Sequence, residues 1–323
     1  MNSPELSVSD PQLVRFRRAT FASVVLLVLI IWTGAAVRLT GSGLGCPSWP
    51  TCKDGSVVPA KGSHAQIEFG NRVVTGLCLL VAAVAVLGAF RLRPVRRDLR
   101  RLAVVVVVGL FSNAIVGGMI VLLHLKPISV IAHFLLAIAV LTAGLALHLG
   151  VSDEPPSRWW RSRWSQALLG AGVVAFALGT VVTATGPHGG DPDVERLSFS
   201  GRDVARLHSG ADWVLLALII VAALVAQRRG NRDVTRRASI VLGLAVVQGG
   251  VGYLQYFRGV PVSLVMVHVV VATFVWCALV WFACGMGSAF EPGASPARLG
   301  SEPAPGRSEF ETTALSEFET TDV

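Results

Sequence analysis

Charge is scarce in this sequence. Only 15% of its 323 residues are Asp, Glu, Lys or Arg, where soluble domains carry about 25%. With 53% of the chain hydrophobic, that shortage excludes a string of small soluble domains. Acidic residues are scarcer still, 20 against 28 basic ones, for a formal net charge of +8. No single basic patch gathers that excess, so it does not read as a nucleic-acid footprint. An A-x-A pattern is also lacking after the first apolar run. That run therefore reads as a retained span and not as a cleaved signal peptide.

What is present is a series of long apolar runs. Eight are expected to cross a membrane: Thr20–Leu39, Ile67–Phe90, Ala103–Leu123, Ile128–Leu149, Trp164–Thr185, Val204–Ala226, Ala238–Phe257 and Val262–Met286. Each is close to the length that spans a bilayer as a helix. If they alternate, 17 basic residues fall in the N-terminal tail, Arg91–Arg101, Arg158–Arg163 and Arg228–Arg237, all on one side. The opposite loops hold six: Lys53, Lys61, Lys126, Arg196, Arg202 and Arg258. The positive-inside rule then places both termini in the cytoplasm of a multi-pass cell-membrane protein. The tail from Phe290, with "SEFETT" near-duplicated at Ser308 and Ser316, reads as disordered.

The third and fourth spans resemble the seventh and eighth. Gly109 matches Gly243, Gly118 matches Gly252, Pro127 matches Pro261 and, after one gap, His133 matches His268. "VRLTGSG" ending the first span resembles "TVVTATG" ending the fifth, and in that register Asn71 falls near His208. The expected fold is all-α, with eight transmembrane helices as two parallel-repeat four-helix bundles. The expected division is a tail 1–19, a half 20–150, a linker 151–163, a half 164–287 and a tail 288–323. Glycines at Gly117, Gly118, Gly249, Gly250 and Gly252 would let a helix or a flat ligand approach closely.

His133, His208 and His268 lie near the outer ends of even-numbered spans, at one membrane depth. Taken singly, each reads as a packing histidine. His208 and His268 together, on the second and fourth helices of one half, read as two imidazoles holding a haem iron across a bundle core. His133 has no histidine opposite; its expected partner is Asn71, a poor iron ligand. His64 is seven residues earlier, about 10 Å along a helix. Glu68 shares a helix face with Asn71. Beside a haem edge it could accept a proton or stabilise positive charge; the plainer alternative is a first-turn carboxylate favoured by the helix dipole. Arg38, Arg72 and Arg206 lie near outer ends of spans, suited either to haem propionates or to snorkelling. Of five cysteines, Cys46 and Cys52 share an outer loop, "CPSWPTC", in the oxidising compartment, and a disulfide is expected. A local clip and a redox role both stay open for it.

These residues carry a resemblance. The chain is similar to the bacterial haem A synthases through "RLTGSGLGCPSWP", "IEFGNR", "GGMIVL" with "ISVIAHFLL", "GPHGGD", "VARLH" and His268 after Pro261. The resemblance implies oxidation of one haem O methyl to a formyl group, giving haem A for terminal oxidase assembly. It implies haem b on His208 and His268 near the outer face. It places haem O in the N-terminal half, with His133, Asn71, Arg72 and Arg38 around it and Glu68 near the reacting methyl. Many members carry histidine where this chain has Asn71, so three ligands are expected here. Expected partners are haem O, membrane lipid, a haem O-forming enzyme and oxidase assembly factors, with self-association open. The alternative is a non-enzymatic di-haem b electron-transfer protein or a haem carrier.

Overall fold

The computed structural model describes residues 10–53, 55–59, 61–152 and 162–289. The first nine residues, most of the expected linker and the tail from residue 290 lie outside the described residues. Among the described residues eight helices follow in chain order: α1 (Pro11–Leu39), α2 (Ser63–Arg91), α3 (Arg97–Leu122), α4 (Pro127–Ser152), α5 (Arg163–Thr185), α6 (Gly201–Arg228), α7 (Arg232–Phe257) and α8 (Val262–Ala289). Each is long and apolar enough to cross a membrane, so the chain is an all-α multi-pass membrane protein. Among the described residues the only β-pairing is an isolated bridge between Lys53 and Ser56.

Several helices start earlier than their apolar runs. α1 begins at Pro11 rather than Thr20, with Asp10 accepting a hydrogen bond from the Gln12 amide at 2.8 Å. α7 begins at Arg232 rather than Ala238, capped by Asn231 on the Val234 amide at 3.0 Å. Hydropathy marks what lipid accepts. The backbone ladder continues past it into charged turns until a capping side chain ends it.

α1 to α4 pack in a closed ring, each helix against its chain neighbour and α1 against α4. α5 to α8 form a second ring in the same way. The rings meet where α1 and α4 face α5 and α8. At that seam Phe176 lies between Phe134 and Trp276, with ring centres 6.4 and 5.1 Å away, and the Trp276 indole donates to Thr142 at 2.9 Å.

The core is unevenly distributed. Call the end of the bundle that carries Pro11 and Ala289 the terminal face, and the end that carries Cys46 and Cys52 the disulfide face. Phe16, Leu92, Leu99, Leu147, Leu168, Val234, Phe282 and Met286 are fully buried, all toward the terminal face. On α6 a single residue, Val204, is buried near its start, and the buried series then runs Leu215, Ile219, Ala222, Ala226; on α7 it stops at Val241. Toward the disulfide face the helices of the second ring turn histidine and glycine toward one another.

The turns joining α3 to α4 and α7 to α8 have the same hydrogen bonds. Leu125 N–H donates to Ile120 C=O at 2.9 Å, and Val260 N–H to Gln255 C=O at 2.8 Å. Leu125 and Val260 both have positive φ, 57° and 59°. The pairs are 135 residues apart, as are His133 and His268. The structural register therefore needs no gap between these turns and the histidines. It sets Pro127 against Val262, one residue from the sequence match. Matching the prolines misplaces the register because Pro127 opens α4 whereas Pro261 immediately precedes α8.

Candidate functional site

In the second ring α6 and α8 bring His208 and His268 together across the bundle. Their ring centres are 6.4 Å apart and their planes cross at 78°. A metal–imidazole bond is about 2 Å long, so rings this close could hold one metal ion between them. Each ring leans on a glycine of the preceding helix. A Cβ at Gly179 would lie 3.1 Å from Cε1 of His208, and one at Gly252 3.3 Å from Cε1 of His268. The Gln248 amide nitrogen stands 3.0 Å from Nε2 and 3.2 Å from Nδ1 of His268. Asp212 places a carboxylate oxygen 3.4 Å from His208 Nε2. Nδ1 of His208 and Oε1 of Gln248 are buried without a partner among the described residues. Two imidazoles, a glycine cradle and orphaned polar atoms fit a haem held between the rings.

The first ring repeats part of this arrangement. A Cβ at Gly117 would lie 3.1 Å from Cε1 of His133, and Nδ1 of His133 and Oδ1 of Asn113 are buried without a partner. Asn113, Gly117 and His133 thus stand 135 residues before Gln248, Gly252 and His268. Asn71 takes the place of a second imidazole. Its Oδ1 accepts from the Thr33 hydroxyl at 2.7 Å, which ties it to α1. His64 is turned away, with Nδ1 2.9 Å from the Ser42 hydroxyl.

Above this ring the Cys46–Cys52 disulfide is formed, as expected. Its loop is fastened to α2 by the Glu68–Arg72 pair. Glu68 is only 5% exposed. One carboxylate oxygen accepts from the Cys46 N–H at 2.6 Å and the other from Arg72 at 2.6 Å. Arg72 donates as well to the carbonyls of Ser48, Thr51 and Cys46, at 3.1, 3.0 and 3.1 Å. Trp49 lies over Gly118, where a Cβ would overlap the indole.

Arg38 has no ion-pair partner among the described residues; the charge acting on it is that of Arg196, another cation. Arg196 sits in the α5–α6 loop, donating to the carbonyls of Gly186 and, at 2.7 Å, of Pro187. That loop crosses to the first ring, where the Gly43 N–H donates to the Gly190 carbonyl at 2.9 Å. Arg206 is exposed, 3.8 Å from Asp203. Sequence reasoning missed Gly179, Asn113, Gln248 and Arg196. Polar Asn113 and Gln248 in apolar helices were the available signal; the glycine and the loop arginine show their roles only once helices are placed.

Fold and site define a class: a multi-pass helical membrane protein with histidines paired across a four-helix ring. Comparison with known proteins narrows it. The profile of the cytochrome oxidase assembly protein family matches residues 17–66. Heme A synthase of Bacillus pumilus is 34% identical over 42% of this chain and 43% of its own length. Heme A synthase of Listeria monocytogenes is 23% identical over 82% of this chain and 93% of its own. Protoheme IX farnesyltransferase of Thermus thermophilus is 31% identical over 88% of this chain. This chain spans about half the length of that protein, 50%. Together these matches support assigning the chain to the haem A synthase family.

Proposed function

We propose that this protein oxidises a methyl group of haem O to a formyl group, yielding haem A for terminal oxidase assembly. The carrying observation is the pair His208 and His268, whose ring centres lie 6.4 Å apart, close enough for both to hold one iron. In this reading the chain is two copies of a four-helix unit, one for haem b and one for substrate, in the cell membrane with both termini cytoplasmic. The distribution of basic residues supports that orientation.

Haem b supplies one-electron transfer. His208 and His268 would hold its iron, and Gln248 would orient the His268 ring. In the first ring His133 would hold the iron of haem O, and Asn71, held by Thr33, would lie beside the substrate. Glu68 faces the reacting methyl. A carboxylate has about four lone-pair sites, and the Cys46 amide and Arg72 occupy two, so the others remain for a proton from an attacking water or for developing positive charge. Arg72 positions Glu68 and ties the disulfide loop down; Arg38 meets a propionate. The Thermus relative named for farnesyl transfer to protohaem supports a haem O-forming enzyme as partner. A di-haem conduit would want ligands toward both faces, whereas His133, His208 and His268 all lie toward the disulfide face.

The test is co-expression with a source of haem O, followed by extraction and chromatography of the haems. Haem A is expected. Bound b-type haem with no haem A would leave the electron-conduit reading in its place.

A further inference from the structure

We infer that the lipid-facing seam between α6 and α7 is a docking site for a membrane-soluble quinone, the oxidant that drains electrons from the haem b site. The inference rests on the reading of His208 and His268 as haem ligands. It names an electron acceptor for that reaction.

At the seam the Tyr253 hydroxyl accepts from the Trp213 indole N–H at 3.2 Å and shares a hydrogen bond with the Ser209 hydroxyl at 3.0 Å. Trp213 is 59% exposed and Tyr253 46%. Tyr253 stacks on Phe257, with ring centres 6.4 Å apart and planes at 18°, so an aromatic shelf continues along α7. Ser209 and Trp213 stand eight and twelve residues into α6, about 12–18 Å along its axis. Tyr253, which meets both, is only four residues from the end of α7, about 6 Å along its axis, so the seam lies close to the end of the span, where Trp and Tyr rings sit. An acyl tail has nothing to accept a hydrogen bond. A quinone has both a flat ring for the shelf and a carbonyl for the Tyr253 hydroxyl, whose O–H is available when the Ser209 hydroxyl and the Trp213 indole donate to its oxygen.

The seam is one residue from His208 and one residue from the glycine that backs His268. Ser209 follows His208, and Tyr253 follows Gly252, the glycine under His268. The first ring closes the corresponding place. Tyr253 stands 135 residues after Gly118, and Trp49 of the disulfide loop lies on Gly118. The first ring is covered there, and the second is open to lipid.

The chemistry balances. A methyl, one water and two quinones give a formyl and two quinols. Two methyl C–H bonds and both water O–H bonds break, and the carbonyl forms with the water oxygen. The four electrons and four protons released end on the two quinols, the electrons passing singly through haem b.

The experiment uses the purified full chain with its haem reduced by stoichiometric dithionite without oxygen. Decylubiquinone is added and the reduced absorption band is followed by stopped flow. Saturable reoxidation is expected. In the Trp213→Phe/Tyr253→Phe double variant, with its static haem spectrum unchanged, the half-saturating quinone concentration rises about tenfold, the loss set by one or two hydrogen bonds. Reoxidation that never saturates, or equal half-saturation in the two proteins, overturns the site. If the variant loses its haem, photolabelling of the wild type with an azidoquinone decides: label within α6 and α7 supports the seam, and label elsewhere overturns it. A wild-type preparation without b-type haem sinks the histidine assignment instead, and the photolabel still judges the seam.

Discussion

Single residues act here through what they stand against. His268 is held by Gly252 beneath its Cε1 edge and by the Gln248 amide. Gly252→Leu is expected to push the ring off its axis and abolish the low-spin b-type band in reduced-minus-oxidised spectra. Gly243→Ala meets open space and should leave that band unchanged. Glu68 is a buried carboxylate with two strong donors, and its substitution should separate binding from chemistry. Glu68→Gln is expected to retain haem b while formyl formation, measured by haem chromatography, falls about 10²–10⁴-fold, the usual weight of a positioned acid–base group. Both side chains were named from the sequence, because a histidine or glutamate at the mouth of an apolar run is conspicuous. Their partners were not, since a glycine or a backbone amide gains meaning only from what is packed on it.

At the scale of elements, two loops do the fastening. The disulfide loop is bound to α2 through Arg72 and the Cys46 amide, and it carries Trp49 onto α3. Cys46→Ser/Cys52→Ser is expected to lower stability by about 2 kcal/mol, as loop-closure entropy gives for so short a clip. It should also reduce formyl formation with haem b retained, read by thermal melting and by haem analysis together. The α5–α6 loop belongs to the second ring but brings Arg196 beside Arg38 of the first. Two guanidiniums without a carboxylate between them suit the anionic propionates of haem. Arg196→Gln should weaken binding of haem O in titrations but leave binding of its dimethyl ester unchanged. The helices were legible from apolar runs, although their charged first turns were not. The α3–α4 match to α7–α8 was legible too, offset by one residue because prolines draw an alignment and turn hydrogen bonds do not.

At the scale of the molecule, the packed core lies toward the terminal face and the histidine sites toward the disulfide face. That separation should let the two sites fail independently. His133→Ala is expected to remove the substrate-haem spectrum and leave the b-type band intact, while His208→Ala does the reverse. Loss of both bands in either variant would mean that the rings do not hold separate haems.

The sequence alone determined the eight spans, the likeness of α3–α4 to α7–α8 and the residue types able to bind iron. Apolar length, charge and histidine depth are local properties that the chain carries wherever it folds. Only the tertiary structure decided which histidine faces which, that Asn71 turns to Thr33, that Glu68 holds the disulfide loop, and that one loop arginine crosses between rings. Those facts depend on helix rotation and on contacts between residues distant in the chain, and no local pattern encodes them.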